Sequence, residues 1–135
     1  MHAQFILDEN RPFIVEVSRR CPGDLYSLLI EYSTGYQYAA KYASYFVQTQ
    51  FDASRTGRRH VLRHTVSSVD DEIFGGLKLP HAKALIAFFP LQSMGQDLAG
   101  LQKTRAGILF CEAENHQALL EDYKLFVSRN AYHLA

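Results

Sequence analysis

The amino-acid sequence predicts an α+β fold with mostly antiparallel strands, in which two helices follow a first hairpin and one helix lies at the C-terminal end. Two apolar runs flank a turn signal near the start, two stretches of helical spacing follow, and strand-like runs precede a final capped helix. At 135 residues, the chain has the length of one ordinary domain and is long enough to bury a core without disulfides.

The first hairpin is predicted from two apolar runs, Ala3–Leu7 and Phe13–Ser18. The residues between them, 8–12, form a dense turn signal that contains Asn and Pro. The Cys-Pro-Gly sequence at 21–23 then stops regular strand pairing. We therefore expect an antiparallel pair of strands that ends before this break.

Two helices are predicted next. Asp24 is the expected N-cap of the first helix, and the sequence Ser33-Thr34-Gly35 is expected to end it. The second helix is expected from about Tyr36 to Val47, with an apolar stripe at helical intervals. The stripe consists of Tyr38, Ala39, Tyr42, Ala43 and Phe46. The polar segment 48–59 is the predicted linker.

The remaining elements are three strands and a helix. The predicted strands are His60–Ser68, Ala84–Phe89 and Arg105–Glu112, of which Ala84–Phe89 is apolar enough to be buried. An acidic turn at 70–72 and a break at Gly75-Gly76 separate the first two of these strands. Asn115 is expected to cap the last helix, His116–Ser128. Its predicted inward residues are Ala118, Leu119, Tyr123 and Phe126.

Composition excludes several classes of protein. Lys+Arg and Asp+Glu both number 14, so the chain lacks the basic excess of a nucleic-acid or anionic-membrane binder. The 2 cysteines are too few for a disulfide framework and indicate free thiols in a reducing compartment. Without an apolar run of about 20 residues or a signal peptide, a cytoplasmic protein is expected.

The most informative feature is Glu16, a carboxylate inside an apolar strand. Strand alternation predicts that Glu16, Ser18 and Arg20 lie on one face, with Gln4 nearby on the partner strand. A carboxylate, a hydroxyl and a guanidinium so arranged could hold hydrated Mg²⁺ and a phosphate group. The alternative is a buried ion pair of Glu16 with Arg19 or Arg20 that only shapes the fold. The residues alone give both interpretations similar weight.

The segment 2–46 resembles the closing part of an ATP-grasp domain. In that superfamily, the second of two antiparallel strands ends in a pattern like Glu-x-Asn-x-Arg, followed by a glycine-containing turn and a helix. Here the pattern stands as Glu-Val-Ser-Arg-Arg at 16–20, followed by Cys-Pro-Gly-Asp. A helix, a Thr-Gly pair and a second helix follow, as they do in these enzymes.

The resemblance implies a parent enzyme that ligates a carboxylate to an amine with ATP and Mg²⁺, through an acyl-phosphate. Glu16, Ser18 and Gln4 would be the metal ligands, and Arg20 would be the catalytic and phosphate-contacting residue. Ser18 replaces the usual asparagine and Gln4 the usual acid, which predicts weaker binding of two metals. The expected substrates are a small carboxylate and a small amine.

The resemblance also implies how the chain is divided into domains. Residues 1–47 would be the C-terminal end of an ATP-grasp domain, 48–59 a linker and 60–135 a small α+β subdomain. The phosphate-covering loop and adenine-side lysines lie upstream in this superfamily, so we expect a C-terminal fragment or one half of a split enzyme, inactive alone. The alternative function is a non-catalytic assembly module that pairs with itself or with a partner carrying the ATP-binding half.

A basic cluster spans the end of the predicted linker and the start of the next strand, and Arg63 is the member expected to contact the nucleotide. The cluster consists of Arg55, Arg58, Arg59, His60, Arg63 and His64. Its functional interpretation is a clamp for phosphate or a substrate carboxylate. The alternative is a solvated linker and a strand with one polar face.

Overall fold

The computed structural model describes residues 2–68, 72–80, 84–100 and 105–135. The chain divides into two compact units, Met1–Thr56 and Gly57–Ala135, hereafter the first and second units. The α+β fold class with antiparallel strands and three helices is confirmed. Residues 70 and 71 of the predicted acidic turn lie outside the described residues.

The first unit begins with the predicted hairpin. Strand β1, His2–Asp8, pairs antiparallel with β2, Arg11–Ser18. The turn has two residues, Glu9 and Asn10, with φ angles of 43° and 66°. Positive φ at both central positions gives the backbone twist that suits a two-residue hairpin, and Asn adopts it readily. The local turn chemistry therefore sets the register of the hairpin from the turn to the pair of Phe5 with Ile14.

A β-bulge interrupts this hairpin at Val15. Gln4 pairs with Glu16, whereas the next residue of β1, Phe5, pairs with Ile14. Val15 is the extra residue on β2, so the alternation of its side chains is reset at that point. Glu16 therefore lies on the face of Gln4, and Ile14 lies on the opposite face with Phe5.

Two short helices follow, α1 over Tyr26–Thr34 and α2 over Tyr38–Ser44. The predicted N-cap at Asp24 is wrong, because Asp24 has a left-handed backbone and the capping position is Leu25, without a side-chain cap. An N-cap side chain bonds the helix amides from an extended backbone, which Asp24 lacks. The predicted stop is confirmed at Gly35, whose amide donates to Glu31 O at 2.7 Å.

Helix α2 is shorter than predicted. It ends at Ser44, and a turn over 45–48 follows, so Phe46 leaves the expected apolar stripe and is exposed. Tyr38 and Tyr42 are half-buried. The fully described stretch 49–59 contains no helix or strand, and the linker over 48–59 stays a prediction.

The second unit is built on a three-stranded antiparallel sheet of order β3-β8-β6. The three predicted strands are confirmed as β3 His60–Ser67, β6 Ala84–Pro90 and β8 Arg105–Ala113. The buried central strand is β8, whereas β6 lies at the edge and is partly exposed, contrary to its expected burial. Two-residue strands form two further pairs: β4 Ile73–Phe74 with β7 Gln96–Asp97, and β5 Leu77–Lys78 with β9 His133–Leu134.

Helix α3, His116–Val127, packs on β3 and β8. Its predicted cap is confirmed, since Asn115 Oδ1 accepts a hydrogen bond from the Ala118 amide at 2.9 Å. Phe126 is fully buried as predicted, but Tyr123 is exposed and Asp122 is buried in its place. Both residues satisfy the helical spacing, so packing rather than periodicity selects Asp122.

The buried apolar residues of the described chain all lie in the second unit. The largest fully buried side chains are Phe110, Phe126, Leu98, Leu109, Val66 and Cys111. In the first unit, only Ser44 is buried among the described residues. No helix of the described residues is long and apolar enough to cross a membrane.

Candidate functional site

The base of the first hairpin brings two candidate metal ligands together. Gln4 lies directly opposite Glu16 in the β1–β2 register. Directly opposed residues share a face, and their Cβ atoms are roughly 5 Å apart. The bulge at Val15 immediately precedes Glu16 and fixes the face on which its carboxylate lies. The pairing places the amide and the carboxylate where one small ligand can contact both.

The alternative of a buried ion pair at Glu16 is not supported. Glu16 is exposed, and across residues 2–68 of the described chain no ion pair joins it to Arg19 or Arg20. Ser18, two residues further along β2, differs from Glu16 in its exposure to solvent. Its Oγ is inaccessible to solvent and has no hydrogen-bond partner among the described residues. A buried hydroxyl without a partner is costly, so this oxygen is an unexplained polar group two residues from Glu16 along β2.

Arg20 lies beyond the end of β2 and lines a cleft of about 510 Å³ in the first unit. The described residues that line the cleft are Gln4, Arg20, Pro22, Gly23, Asp24 and Tyr26. Of the predicted site residues, Gln4 and Arg20 thus share the cleft, whereas Glu16 and Ser18 do not line it. Among the described lining residues, Arg20 is the cation and Asp24 the anion.

The turn after β2 holds the Arg20 side chain in place. Its Nη1 donates to the Cys21 carbonyl at 3.3 Å and lies 3.7 Å from the position that a Cβ on Gly23 would occupy. The guanidinium therefore folds against the backbone of the 21–23 turn. Glycine at position 23 leaves the space above this backbone open.

Helix α2 contacts the segment that contains Arg20. The Tyr42 hydroxyl donates to the Arg19 carbonyl at 3.3 Å. Partial burial and the hydrogen-bonded Cys21 thiol raise the pKa of the Tyr38 hydroxyl. Both tyrosines come from the stripe predicted for α2, so the half-buried part of this stripe positions the segment 19–21.

The oxygen donors at the hairpin base are of the kind that Mg²⁺ takes. Magnesium is usually bound by one or two carboxylates, with waters and substrate phosphate oxygens completing six ligands. Glu16 supplies one carboxylate, Ser18 Oγ an unpaired oxygen and Gln4 an amide oxygen. The described residues contain no group of three or more His, Cys, Asp or Glu that could hold a metal alone. The donor set therefore fits a metal ion that is shared with a phosphate ligand.

Arg63 and the rest of the basic cluster lie mostly in the second unit. Arg63 is on β3, and its Nη1 donates to Thr65 Oγ1 at 3.1 Å. Arg59 forms a two-pronged ion pair with Glu112, with Nε donating to Oε1 at 2.7 Å and Nη2 donating to Oε2. This contact lowers the pKa of Glu112 and raises that of Arg59. Arg59 is thus engaged within the unit, and nucleotide contact by Arg63 stays a prediction.

Two cleft residues were missed by the sequence interpretation. Asp24 was expected to cap a helix and Tyr26 was not predicted to be a site residue, yet both line the cleft with Arg20. The sequence did carry a signal, because the Pro-Gly pair at 22–23 permits a turn that changes the direction of the chain before Asp24. An aspartate after such a turn is compatible with either a cap or a cleft.

Comparison with known proteins shows a similarity of fold. No protein-family model matches the chain, and no curated protein matches it in sequence. Among solved structures, the fold is similar to that of phosphoribosylglycinamide synthetase from Anaerococcus prevotii, with a TM-score of 0.73 and 15% sequence identity. The similarity covers 98% of this chain and 36% of that protein, so the chain spans about a third of its length. At this identity the likeness shows the fold alone: the chain has an ATP-grasp-like α+β fold.

Proposed function

We propose that this chain contributes a metal- and phosphate-binding wall to an ATP-dependent ligase that joins a carboxylate to an amine through an acyl-phosphate. The observation that carries the proposal is the pairing of Gln4 with Glu16, together with the oxygen of Ser18 further along β2, which has no partner among the described residues. Gln4 also lines the cleft that contains Arg20. An ATP-grasp-like fold supports this class of ligase.

Each residue would have a separate task in this site. Glu16, assisted by Ser18 and Gln4, would hold Mg²⁺, which neutralises charge on the ATP phosphates when bound. The Arg20 guanidinium would donate hydrogen bonds to oxygens of the transferred phosphoryl group, in the two-pronged geometry that arginine allows. The Cys21 carbonyl and the turn at Gly23 hold this guanidinium in advance. Such preorganised positioning of charge is the main contribution of a protein to phosphoryl transfer.

Glu16→Gln is the direct test. The substitution keeps the shape of the side chain and removes the carboxylate that lies opposite Gln4, so the metal would lose the one charged ligand proposed here. We expect ATP turnover to fall by roughly 100-fold or more, measured in the full-length protein or after reassembly with the ATP-binding half.

Glu9→Gln is the matched control, because Glu9 is an exposed acid in the turn of the same hairpin. It should leave turnover unchanged. Undiminished turnover in Glu16→Gln would exclude the metal role. Equal losses in the two variants would instead point to a general effect of hairpin charge.

A second candidate is a non-catalytic module that pairs with a polypeptide carrying the ATP-binding half. It is favoured by the exposure of apolar side chains on both faces of the hairpin. Those more than half exposed are Phe5, Ile6, Leu7, Phe13, Ile14, Val15 and Val17. An apolar surface of this kind marks an interaction site, and both outer strand edges are unpaired within the described residues.

Without a partner, this surface should drive self-association of the isolated chain. We expect light scattering after size exclusion to show oligomers whose population rises with concentration, and Phe13→Lys with Ile14→Lys to return the chain to a monomer. Tyr123→Lys, which replaces an exposed aromatic residue of the second unit, is the control and should leave the oligomers intact. A wild-type chain that stays monomeric at every concentration tested would count against this candidate.

A further inference from the structure

The segment 49–56, hereafter the strap, contains no helix or strand, yet it is bonded to α2 at two points. The Thr49 amide donates to the carbonyl of Ser44, the last residue of α2, at 3.1 Å. Further along, the Phe51 carbonyl accepts a hydrogen bond from Lys41 Nζ at 2.7 Å. The start and the middle of the strap are therefore held by α2.

The end of the strap is bonded to α1. The Thr56 amide donates to the carbonyl of Thr34, the last residue of α1, at 3.0 Å. A Cβ atom on Gly35 would overlap the Thr56 side chain, so glycine at this position allows the close approach. Thr56 is also the last residue of the first unit. The strap is thus anchored at both ends and in the middle, which a free linker is not.

Helix α2 also contacts the segment 19–21, through the Tyr38 and Tyr42 side chains. Lys41, which holds the strap, lies between these tyrosines on the same short helix. Apart from one serine, no described residue of the first unit is buried, so no apolar core holds α2 in place. Hydrogen bonds to the strap therefore contribute much of what fixes this helix.

We propose that the strap fixes α2 against the segment 19–21 and thereby sets the position of Arg20, with Lys41 as the positioning residue. The inference rests on the proposed ligase function, to which it adds how the phosphate contact is held in place. The Lys41 ammonium donates to a carbonyl, and hydrogen bonds from charged groups contribute more than neutral ones. The ammonium also lies 5.4 Å from the centre of the exposed Tyr45 ring, which is a weaker contact.

Hydrogen–deuterium exchange of the 135-residue chain tests whether the strap is docked. We expect the Thr49 and Thr56 amides to exchange more slowly than in an unfolded peptide, because both are hydrogen-bonded. Lys41→Met should speed exchange of the strap by about 10- to 100-fold, as loss of one hydrogen bond from a charged group allows. Exchange in β1 and β2 should not change. A wild-type strap that exchanges as fast as an unfolded peptide would overturn the proposal.

Alkylation of Cys21 by iodoacetamide tests whether the strap acts on the segment 19–21. Cys21 is half-buried, and its thiol is hydrogen-bonded to Tyr38 on α2. Loosening of α2 would give the reagent access to this thiol, so Lys41→Met should raise the alkylation rate about 10-fold. The buried Cys111 of the second unit is the internal reference and should stay unmodified in every variant.

Three further variants separate this role from a general loss of stability. Lys41→Arg keeps a donor for the Phe51 carbonyl, so its Cys21 should be alkylated at the wild-type rate. Tyr45→Leu removes the exposed ring beside Lys41 and should also leave the rate unchanged. Gly35→Ala disturbs the opposite end of the strap and should reproduce the fast alkylation. An unchanged Cys21 rate in Lys41→Met would overturn the proposal, as would a rise accompanied by faster exchange throughout β1 and β2.

Failure of this inference can be told apart from failure of the proposed function. In the ATP-hydrolysing protein, Lys41→Met should lower kcat with little change in the KM for ATP, because Arg20 is proposed to contact the phosphoryl group as it transfers. Loss of turnover in Glu16→Gln with unchanged Cys21 alkylation in Lys41→Met would overturn the role of the strap alone. Faster alkylation in Lys41→Met with undiminished turnover in Glu16→Gln would support the strap and exclude the ligase function.

Discussion

Replacing Phe126 by alanine is expected to destabilise the second unit by about 3–5 kcal/mol. Phe126 is fully buried on α3, and its ring centroid lies 5.2 Å from that of His64 and 6.2 Å from that of Tyr132. It is the one apolar residue of α3 that is fully inaccessible, so it is the main anchor of the helix on the sheet. The truncation would lose the buried aromatic surface and leave a cavity between helix and sheet.

Tyr123→Ala on the same helix is the matched control. Tyr123 is 54% exposed, so its truncation should change the free energy of unfolding by less than about 1 kcal/mol. Urea unfolding followed by circular dichroism, with the midpoint and slope compared for both variants, measures the difference. Equal losses in the two variants would contradict the observed orientation of α3.

Acidification is expected to destabilise the second unit through His64. Burial, followed by the nearby cations Arg129 and Arg63, lowers the pKa of His64 from 6.5 to about 4. Its Nε2 is also inaccessible, without a hydrogen-bond partner among the described residues. Between these two pKa values the unfolded chain binds the proton and the folded chain does not. Stability therefore falls as the pH drops from about 6.5 to about 4.

The variant His64→Phe should remove this part of the acid sensitivity. It preserves an aromatic ring against Phe126 and Tyr132 and removes the unsatisfied ring nitrogen, so stability at neutral pH should not fall through lost hydrogen bonds. The measurement is the free energy of unfolding at several pH values between 7 and 4. His133→Asn, which changes an exposed histidine, should titrate like the wild type. Parallel pH curves for His64→Phe and the wild type would contradict the prediction.

The parts of the fold that could be predicted from sequence are those with strong local signals. The turn at Glu9-Asn10 and the flanking apolar runs specify the first hairpin without any tertiary information. The cap at Asn115 and the stop at Gly35 are likewise set by the chemistry of one side chain or one backbone conformation.

Other features depended on packing that no local pattern encodes. The four two-residue strands are too short for an alternation to be visible, and β9 exists because it pairs with β5. The choice between Asp122 and Tyr123 required the surface of the sheet, since both positions match the helical spacing. Similarly, no helix-breaking residue in the sequence explains the early end of α2.

Only part of the candidate site could be predicted from the sequence. The sequence placed Gln4 on the partner strand near Glu16, but their direct opposition depends on the bulge at Val15, which the sequence did not predict. The predicted alternation through Arg20 did not extend that far, because β2 ends at Ser18 and the chain bends. Asp24 could not be recognised as a cleft residue, since its left-handed backbone is not a property of the aspartate itself.

The bulge at Val15 has a consequence for how such hairpins vary between proteins. Ile14 and Glu16 already lie on opposite faces, as neighbours in a regular strand do. Deletion of Val15 would therefore preserve the cross-strand pairs on both sides of it, including Gln4 with Glu16. The number of residues between the turn and the glutamate is thus free to change by one while the geometry at the hairpin base is retained. A sequence search that demands a fixed spacing from turn to glutamate would pass over proteins that share this arrangement.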